Sequence, residues 1–427
     1  MQKLAVYGGP KALKDGDVVN KWPPIDKIDR DLVMASLESG QHTYGPNCAE
    51  LEKEFMAWNG NKYAINANSG TAALHMGIAA CGLGAGDHVL VTAYSWSSSA
   101  TCIMHHNCIP VFVDINFDTM IIDENLIEAA ITKKTKAIVV VHLHGLPGNM
   151  EKIMKIARKH NLKVIEDACQ AHGALFKGQK VGTFGDATAF SMNQNKCLCS
   201  GEGGIMVTDD EQVYQQARAL WSFGETRTPS EKRDYHAYAL GWMYRSGDIS
   251  AAFGRAQLSK LSNYIAIQRK NGSRLLDELQ GIPGLITPTV PAGCEPNWYN
   301  FVIRIDMART GWKGPRARFR DAVVAALNAE GVPNGIWQHF ILPDMTVFKA
   351  QNAYGNGCPW TCPYTKPIRY DSSKFPNALR HCETHTCIIN PLRIPNGIKA
   401  AKAVARGVRK VFENLDQIDP ERILKQQ

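Results

Sequence analysis

From residue 63 onward the chain alternates between short apolar runs and segments of helical pattern. Runs at residues 63–66, 87–92, 109–114, 137–142 and 162–166 are each four to six residues long and rich in Val, Ile, Leu and Ala. Helical patterns starting at residues 69, 97, 126 and 150 lie between them. Strands that short and that apolar are buried on both faces, and helices between them supply the cover. The alternation therefore predicts an α/β fold with a mainly parallel sheet clothed in helices. Ligands of such sheets bind at the carboxyl ends of the strands. Ser69, the 94–96 segment ending in Trp96, and Asp167 all stand at such ends.

Around this core the pattern is plainer. Residues 1–30, with Gly8-Gly9-Pro10 and Pro23-Pro24, read as an extended arm. Helices are predicted at 30–39 and 48–58, separated by a polar loop at 41–47. Two further strands, 187–191 and 205–208, bracket a turn containing Lys196. Helices follow at 210–221 and 250–267. The large unit thus spans 31–268, and a smaller α+β unit spans 269–427. The second unit is predicted to hold a helix at 273–279, a strand at 299–305, a helix at 317–330, a loop-rich stretch at 333–385 and a basic helix at 399–413.

Several function classes lack support. The formal charge is +8 over 427 residues, but the basic residues are dispersed, which argues for a solvated surface and against nucleic-acid binding. No apolar run is long enough to cross a membrane, and the N-terminal Met-Gln-Lys-Leu-Ala lacks the apolar core of a secretory signal, so a cytoplasmic location is expected. The twelve cysteines are irregularly spaced and fit free thiols in a reducing compartment. Cys197-Leu-Cys199 and Cys358-Pro-Trp-Thr-Cys362 lack the spacing and the histidines of a zinc site, so no metal is expected.

The chemistry concentrates in residues 164–204. Lys196 lies in a polar turn followed by Gly201, Gly203 and Gly204, which suits either a surface loop or a lysine brought close to a ligand. Asp167 ends a Val-Ile strand and can be a helix cap or a carboxylate aimed at a ligand. Gln170 and His172 follow and can bond a ligand or the loop backbone. Ser69-Gly70-Thr71 opens a helix after a strand, a ready phosphate site, and Ser191 offers another hydroxyl. Trp96 can stack on an aromatic ring or simply pack. A lysine and a strand-end acid together suit pyridoxal 5'-phosphate, which needs an amine to hold it and a carboxylate to keep its ring nitrogen protonated.

The order of these features, together with Asn68-Ser-Gly-Thr-Ala-Ala-Leu74, Pro110-Val-Phe-Val-Asp114, Val141-His-Leu-His-Gly145, Glu166-Asp-Ala-Cys-Gln-Ala-His-Gly173 and the segments 191–196 and 201–204, resembles the DegT/DnrJ/StrS family of sugar and cyclitol aminotransferases over residues 22–415. The resemblance implies a fold-type-I transferase with a seven-stranded-type sheet. It implies that Lys196 forms the internal aldimine and moves the proton, Asp167 pairs with the pyridinium nitrogen, Gln170 bonds the phenolic oxygen, and Trp96 stacks on the ring. Ser69, Gly70, Thr71 and Ser191 would hold the phosphate. It further implies a homodimer with shared active sites and a ping-pong reaction through pyridoxamine 5'-phosphate. L-Glutamine or L-glutamate would be the donor, and a keto cyclitol or nucleotide-linked keto sugar the acceptor. Where the family has Asn-Tyr-Arg, this chain has Met243-Tyr244-Arg245. The Asn contact to the partner's phosphate is lost, and either Arg245, Asn193 or Asn195 replaces it or the phosphate is held less tightly. A lysine at 196, where dehydratase members carry histidine, favours transamination. A dehydratase of the aminohydroxybenzoate-synthase type and a non-catalytic cofactor-binding sensor are the alternatives. Loops 41–47, 226–238 and 338–343 are the candidates for choosing the substrate.

Overall fold

A computed structural model describes residues 3–225, 232–366 and 368–425; part of the 226–238 loop, residues 226–231, lies outside them. Seven strands form the central sheet: β1 (Tyr63–Ala67), β2 (His88–Thr92), β3 (Ile109–Val113), β4 (Thr135–Val141), β5 (Lys163–Asp167), β6 (Ala187–Ser191) and β7 (Gly204–Thr208). Their spatial order is β1-β7-β6-β5-β4-β2-β3. Only β7 runs against its neighbours, because the turn carrying Lys196 returns the chain directly beside β6. The parallel register places Asp167 opposite Ala189 of β6 and Val141 of β4, in the middle of the sheet.

Helix Gly70–Ala80 is apolar around nearly its whole circumference and packs beneath β6 and β7. Its Gly77 lets it approach closely, since a Cβ there would stand 3.3 Å from Cβ of Ala187. A second, antiparallel sheet joins Leu285–Ile286, Phe301–Ile305, His385–Ile388 and Asn334–Gly335 in that order, backed by helices Arg316–Ala329 and Ile398–Phe412.

The structure departs from the sequence reading in four places. Residues 250–267 and 273–279 form one unbroken helix, Asp248–Leu279. At Gly272, between the two expected helices, the missing side chain makes room for Trp298, whose ring lies 2.4 Å from where a Cβ would stand. The first helix is Lys27–Glu38, three residues earlier than expected, because Asp26 and Asp29 form a reciprocal capping box. The 333–385 stretch contains helix Pro376–Thr384, whose first amides at Asn377 and Ala378 donate to Asp114, and the strand His385–Ile388 follows it. The same stretch shields β3, an edge strand, with Tyr370 Oη donating to the carbonyl of Pro110. The N-terminal arm, expected to be extended throughout, contains a 3-10 turn at Ala5–Tyr7 and is held down. Leu4 and Leu13 are buried against the second unit, and the amides of Ala5 and Ala12 donate to the buried carboxylate of Glu330, which also pairs with Lys410 at 2.8 Å.

All twelve cysteines are free. No described helix is long and apolar enough to cross a membrane.

Candidate active site

A cavity of ≈ 470 Å³ opens at the carboxyl ends of β5 and β6. Ser69, Gly70, Thr71, Trp96, Asp167, Gln170, Ser191 and Lys196 all line it. Eight of the nine expected site residues, scattered over more than a hundred positions of sequence, are thus brought together.

Its floor is the start of helix Gly70–Ala80. Ser69 caps that helix, its Oγ accepting from the amide of Ala72 at 3.1 Å. The amides of Gly70 and Thr71 donate to no described residue. Free amides at a helix start, with the helix dipole behind them, suit an anion such as a phosphate. A Cβ on Gly70 would stand 2.6 Å from Cβ of Ser191 and 3.1 Å from Sγ of Cys169, and a Cβ on Gly204 would stand 2.3 Å from the carbonyl oxygen of Ser69. Both glycines are therefore set by close approach. Gly70→Ala is expected to displace Ser191, to cost about 1–3 kcal/mol of stability by overpacking, and to loosen retention of a bound phosphate. Thermal melts with and without pyridoxal phosphate check this.

Asp167 is buried, and its Oδ2 accepts from Ser99 Oγ at 2.7 Å, with Ser95 Oγ a further 2.7 Å behind. Its Oδ1 accepts from the Cys169 amide at 3.2 Å. No helix follows it, so it does not serve as a helix cap. Burial of its sulfur pushes the thiol of the partly exposed Cys169 well above its ordinary range, and the Asp167 carboxylate adds to the effect.

The adjacent Glu166 points the other way and is wholly enclosed. It accepts from His142 Nε2 and from the amides of Gly182, Phe184 and Gly185 at 2.7–2.9 Å. Burial alone would raise its pKa, but these donors together hold it below the ordinary glutamate value of 4.5. A depressed carboxylate stabilises the fold above its unfolded pKa, and that stability is lost as pH falls through the folded one. Glu166→Gln is expected to cost about 1–3 kcal/mol at pH 7, where one end of the amide meets a donor instead of an acceptor. Below pH 4.5 its stability should fall less steeply than wild type, as urea melts across pH 3–7 would read.

Lys196 sits in a turn closed by its own amide donating to the carbonyl of Asn193 at 2.8 Å, with Gly201 at φ 83°. Its Nζ lies 4.9 Å from the centroid of the Tyr299 ring and makes no hydrogen bond or ion pair with any described residue. Gln170 Oε1 accepts from the amide of His144 at 2.8 Å, which fixes its side chain at the cavity wall. His172 does not reach the cavity. It is buried against Phe190, with a ring pKa lowered to about 3 by burial and by the nearby Lys196 and Arg393 cations. Trp96 is 55% exposed at the rim, 6.4 Å from the ring of Trp337.

Arg245 lies elsewhere. Its guanidinium is 5.4 Å from the Phe223 ring and lines a separate ≈ 430 Å³ cavity with Arg218 and Glu225. Within one chain it does not meet the cofactor residues. Met243 is half exposed, and its carbonyl accepts from Asn68 Nδ2 at 3.3 Å. Asn193 and Asn195 do line the main cavity, with Asn193 Nδ2 already donating to Glu202.

Other lining residues were not singled out from the sequence. Ser95 and Ser99 belong to the Tyr-Ser-Trp-Ser-Ser-Ser run after β2, a visible cluster of hydroxyls. Tyr299, Asn300, Trp337 and Arg393 come from the second unit and carry no local motif.

An amine without a partner, a buried acid, two free amides under a steric cradle and a rim indole fit a phosphorylated pyridine cofactor, and the cavity has the volume of a small-molecule site. Fold and site together define a pyridoxal-phosphate-dependent aminotransferase. More specifically, the chain belongs to the DegT/DnrJ/EryC1/StrS aminotransferase family, whose pattern it matches over residues 23–369.

Among its relatives, the spore coat polysaccharide biosynthesis protein SpsC of Bacillus subtilis is 34% identical, with 84% of this chain and 88% of that protein covered. A Micromonospora echinospora protein named "Putative L-glutamine:3-amino-2,3-dideoxy-scyllo-inosose aminotransferase" is 34% identical, with 78% of each covered. Among solved structures, 3-amino-5-hydroxybenzoic acid synthase superposes with a TM-score of 0.81 at 26% identity, covering 92% of this chain and 97% of that one. The fold is also that of the Streptococcus pneumoniae protein Spr1654 in its PLP form, with a TM-score of 0.79 at 23% identity, covering 92% of this chain and 98% of that one. The family and these relatives support amination of a sugar or cyclitol.

Proposed function

We propose that the enzyme transfers an amino group from L-glutamine or L-glutamate to the ketone of a polyhydroxylated ring, either a free keto cyclitol or a nucleotide-linked keto sugar. It does so in two half-reactions, ping-pong fashion, as a homodimer whose partner chain completes each site. The observation that carries the reading is the unpartnered Lys196 amine in the same cavity as the Ser99-braced Asp167 carboxylate. The name of the Micromonospora relative supports glutamine and an inosose.

When bound, the cofactor supplies an electron sink for the bonds around the substrate's nitrogen-bearing carbon. The chain does the rest. Gly70 and Thr71 amides, with the Ser69 and Ser191 hydroxyls, would anchor its phosphate. Asp167 would hold a proton on the ring nitrogen, Ser99 keeping the carboxylate oriented. Gln170 would bond the phenolic oxygen and Trp96 would cover the ring. Lys196 would hold the cofactor, and its amine would carry the proton to and from the substrate's α-carbon. Arg245, in its own cavity, is free to reach across a dimer to the partner's phosphate in place of the absent Asn.

Absorbance of the pyridoxal-phosphate-loaded protein tests this. Bleaching of the cofactor band by L-glutamine or L-glutamate, and its recovery with a keto cyclitol or keto sugar, is the expected result. A band that no amino acid bleaches would favour the second reading, a dehydratase of the kind its structural likeness to 3-amino-5-hydroxybenzoic acid synthase suggests, if an aminated ring then loses water. A non-catalytic sensor would do neither.

A further inference from the structure

Behind the wall of the cavity lies a buried aromatic group that has no part in the chemistry so far. Tyr94 is wholly enclosed, with its hydroxyl 3.3 Å from His385 Nε2 and its ring edge-on to His381 at 4.6 Å. Trp337 packs edge-on against Tyr94 at 5.4 Å and against His144 at 4.8 Å. These contacts fix an indole that is itself half-buried and lines the same cavity as Lys196. Its ring stands 6.4 Å from that of Trp96 and is inclined to it by 50°. With Trp96 over the cofactor ring, Trp337 borders the space beside it. The indole N–H of Trp337 donates to no described residue.

His144 holds a second group of the same wall. It is buried, with its backbone in the left-handed region at φ 56°. Burial first, then His385 and Lys196, lower its ring pKa to about 3, so at pH 7 the imidazole is neutral, with one donor and one acceptor. Asn300 Nδ2 lies 3.0 Å from Nδ1 of that ring. An amide nitrogen donates, so Nδ1 accepts and the ring proton sits on Nε2. The backbone amide of Asn300 also donates to the carbonyl of His144 at 3.4 Å, which fixes the residue a second time. With Nδ2 engaged in the wall, Oδ1 of Asn300 accepts from no described residue, and Asn300 lines the cavity. A flat apolar ring and an unused amide oxygen are thus both held rigidly at one wall.

We propose that Trp337 and Asn300 seat the ring of the amino acceptor, the indole against its C–H face and the amide oxygen on a hydroxyl at its rim, with His144 as the residue that positions Asn300. The inference rests on the transamination reading above and deepens it. A six-membered ring whose hydroxyls are equatorial carries its C–H bonds on two flat faces and its polar groups around the edge. An indole covers such a face as it covers other apolar surface, while a few fixed polar groups meet the edge. An axial hydroxyl on the covered face would be buried against the indole without a partner, which is costly. Trp337 therefore selects acceptors by the orientation of their hydroxyls, a chemistry common to a free cyclitol and a nucleotide-linked sugar. It also directly precedes the 338–343 loop, one of the segments expected to choose the substrate.

The test uses unreactive polyols and protein loaded with pyridoxamine 5'-phosphate, the form that meets the acceptor. The polyols scyllo-inositol and dTDP-glucose carry equatorial ring hydroxyls, and myo-inositol and dTDP-galactose each turn one of them axial. Titration calorimetry gives the dissociation constants. Wild type should bind one of the equatorial compounds about 10-fold more tightly than its axial epimer. Which of the two it binds separates a free cyclitol from a nucleotide-linked sugar. Trp337→Ala should abolish the preference, and Trp337→Phe, which keeps a flat ring, should restore most of it, with thermal melts as the check on folding. Asn300→Ala should weaken the equatorial ligand about 3–10-fold. His144→Asn, a residue that tolerates the left-handed backbone, should do the same. The double variant should match Asn300→Ala within about twofold, since both changes remove one interaction. Additive losses would overturn the part given to His144. Wild type that binds no polyol, or a preference that survives Trp337→Ala, would overturn the seat, whatever the donor does to the cofactor band. If the preference is present and depends on Trp337 while no amino acid bleaches the band, the seat stands and transamination falls.

Discussion

Replacing Lys196 by alanine is expected to slow amino transfer by at least about 10⁴-fold while leaving the fold intact. The loss combines two contributions: the amine that holds the cofactor and the group that carries the proton, the latter alone worth about 10²–10⁴. The near-silence in stability follows from the structure. Nζ bonds to nothing described, so alanine removes no partner and leaves no buried group unpaired. The shift should stay within about 0.5 kcal/mol. The two readouts are single-turnover absorbance with the donor and a thermal melt of the same sample. A variant that is inactive because it is unfolded would betray a structural lysine and remove the catalytic assignment.

Asp167→Asn should rank next, with a fall of about 10²–10³-fold in rate. The amide keeps the size of the carboxylate and can still accept from Ser99, so the cavity should hold its shape. What disappears is the negative charge that keeps a ring nitrogen protonated. Ser99→Ala removes only the brace at 2.7 Å, and should cost about tenfold or less. The graded pair separates charge from orientation. Equal effects of the two substitutions would mean that the hydrogen bond, and not the charge, is what matters. Rates of band change with the donor, and retention of pyridoxal phosphate on dialysis, measure both.

The sequence made the cofactor half of the site legible and left the substrate half dark. Ser69, Gly70, Thr71, Asp167, Gln170, Ser191 and Lys196 sit at strand ends or helix starts of a regular alternating fold, where neighbouring residues announce the geometry. Tyr299, Trp337 and Arg393 do not. They come from irregular segments around the second sheet, and what recruits them is tertiary packing. Arg393 reaches its place because Trp22, some 370 positions earlier, lies against it. No window of sequence contains that contact. His172 illustrates the converse: its position two residues beyond Gln170 looks functional, yet the turn carries its ring into the core beside Phe190. Gly272, which falls between the two helices expected there, is a socket for Trp298, and Gly70 and Gly204 mark close approach, which only the three-dimensional neighbours make plain.

The Asp248–Leu279 helix bears on how this chain can be cut and recombined. Leu258, Leu261 and Ile265 belong to the hydrophobic cluster around β6 and β7, while Leu275 and Leu279 belong to the one around the second sheet. A single rod is thus shared property of both cores, and any crossover within it would strand part of an apolar stripe on each fragment. A chimera that trades the acceptor-facing wall with a relative should be spliced outside 248–279, carrying the N-terminal arm along with it, since Leu4, Leu13 and the Glu330 carboxylate tie that arm to the far half of the chain. Inheritance of substrate preference by such hybrids would follow the arm as well as the C-terminal third, though the two lie far apart in sequence.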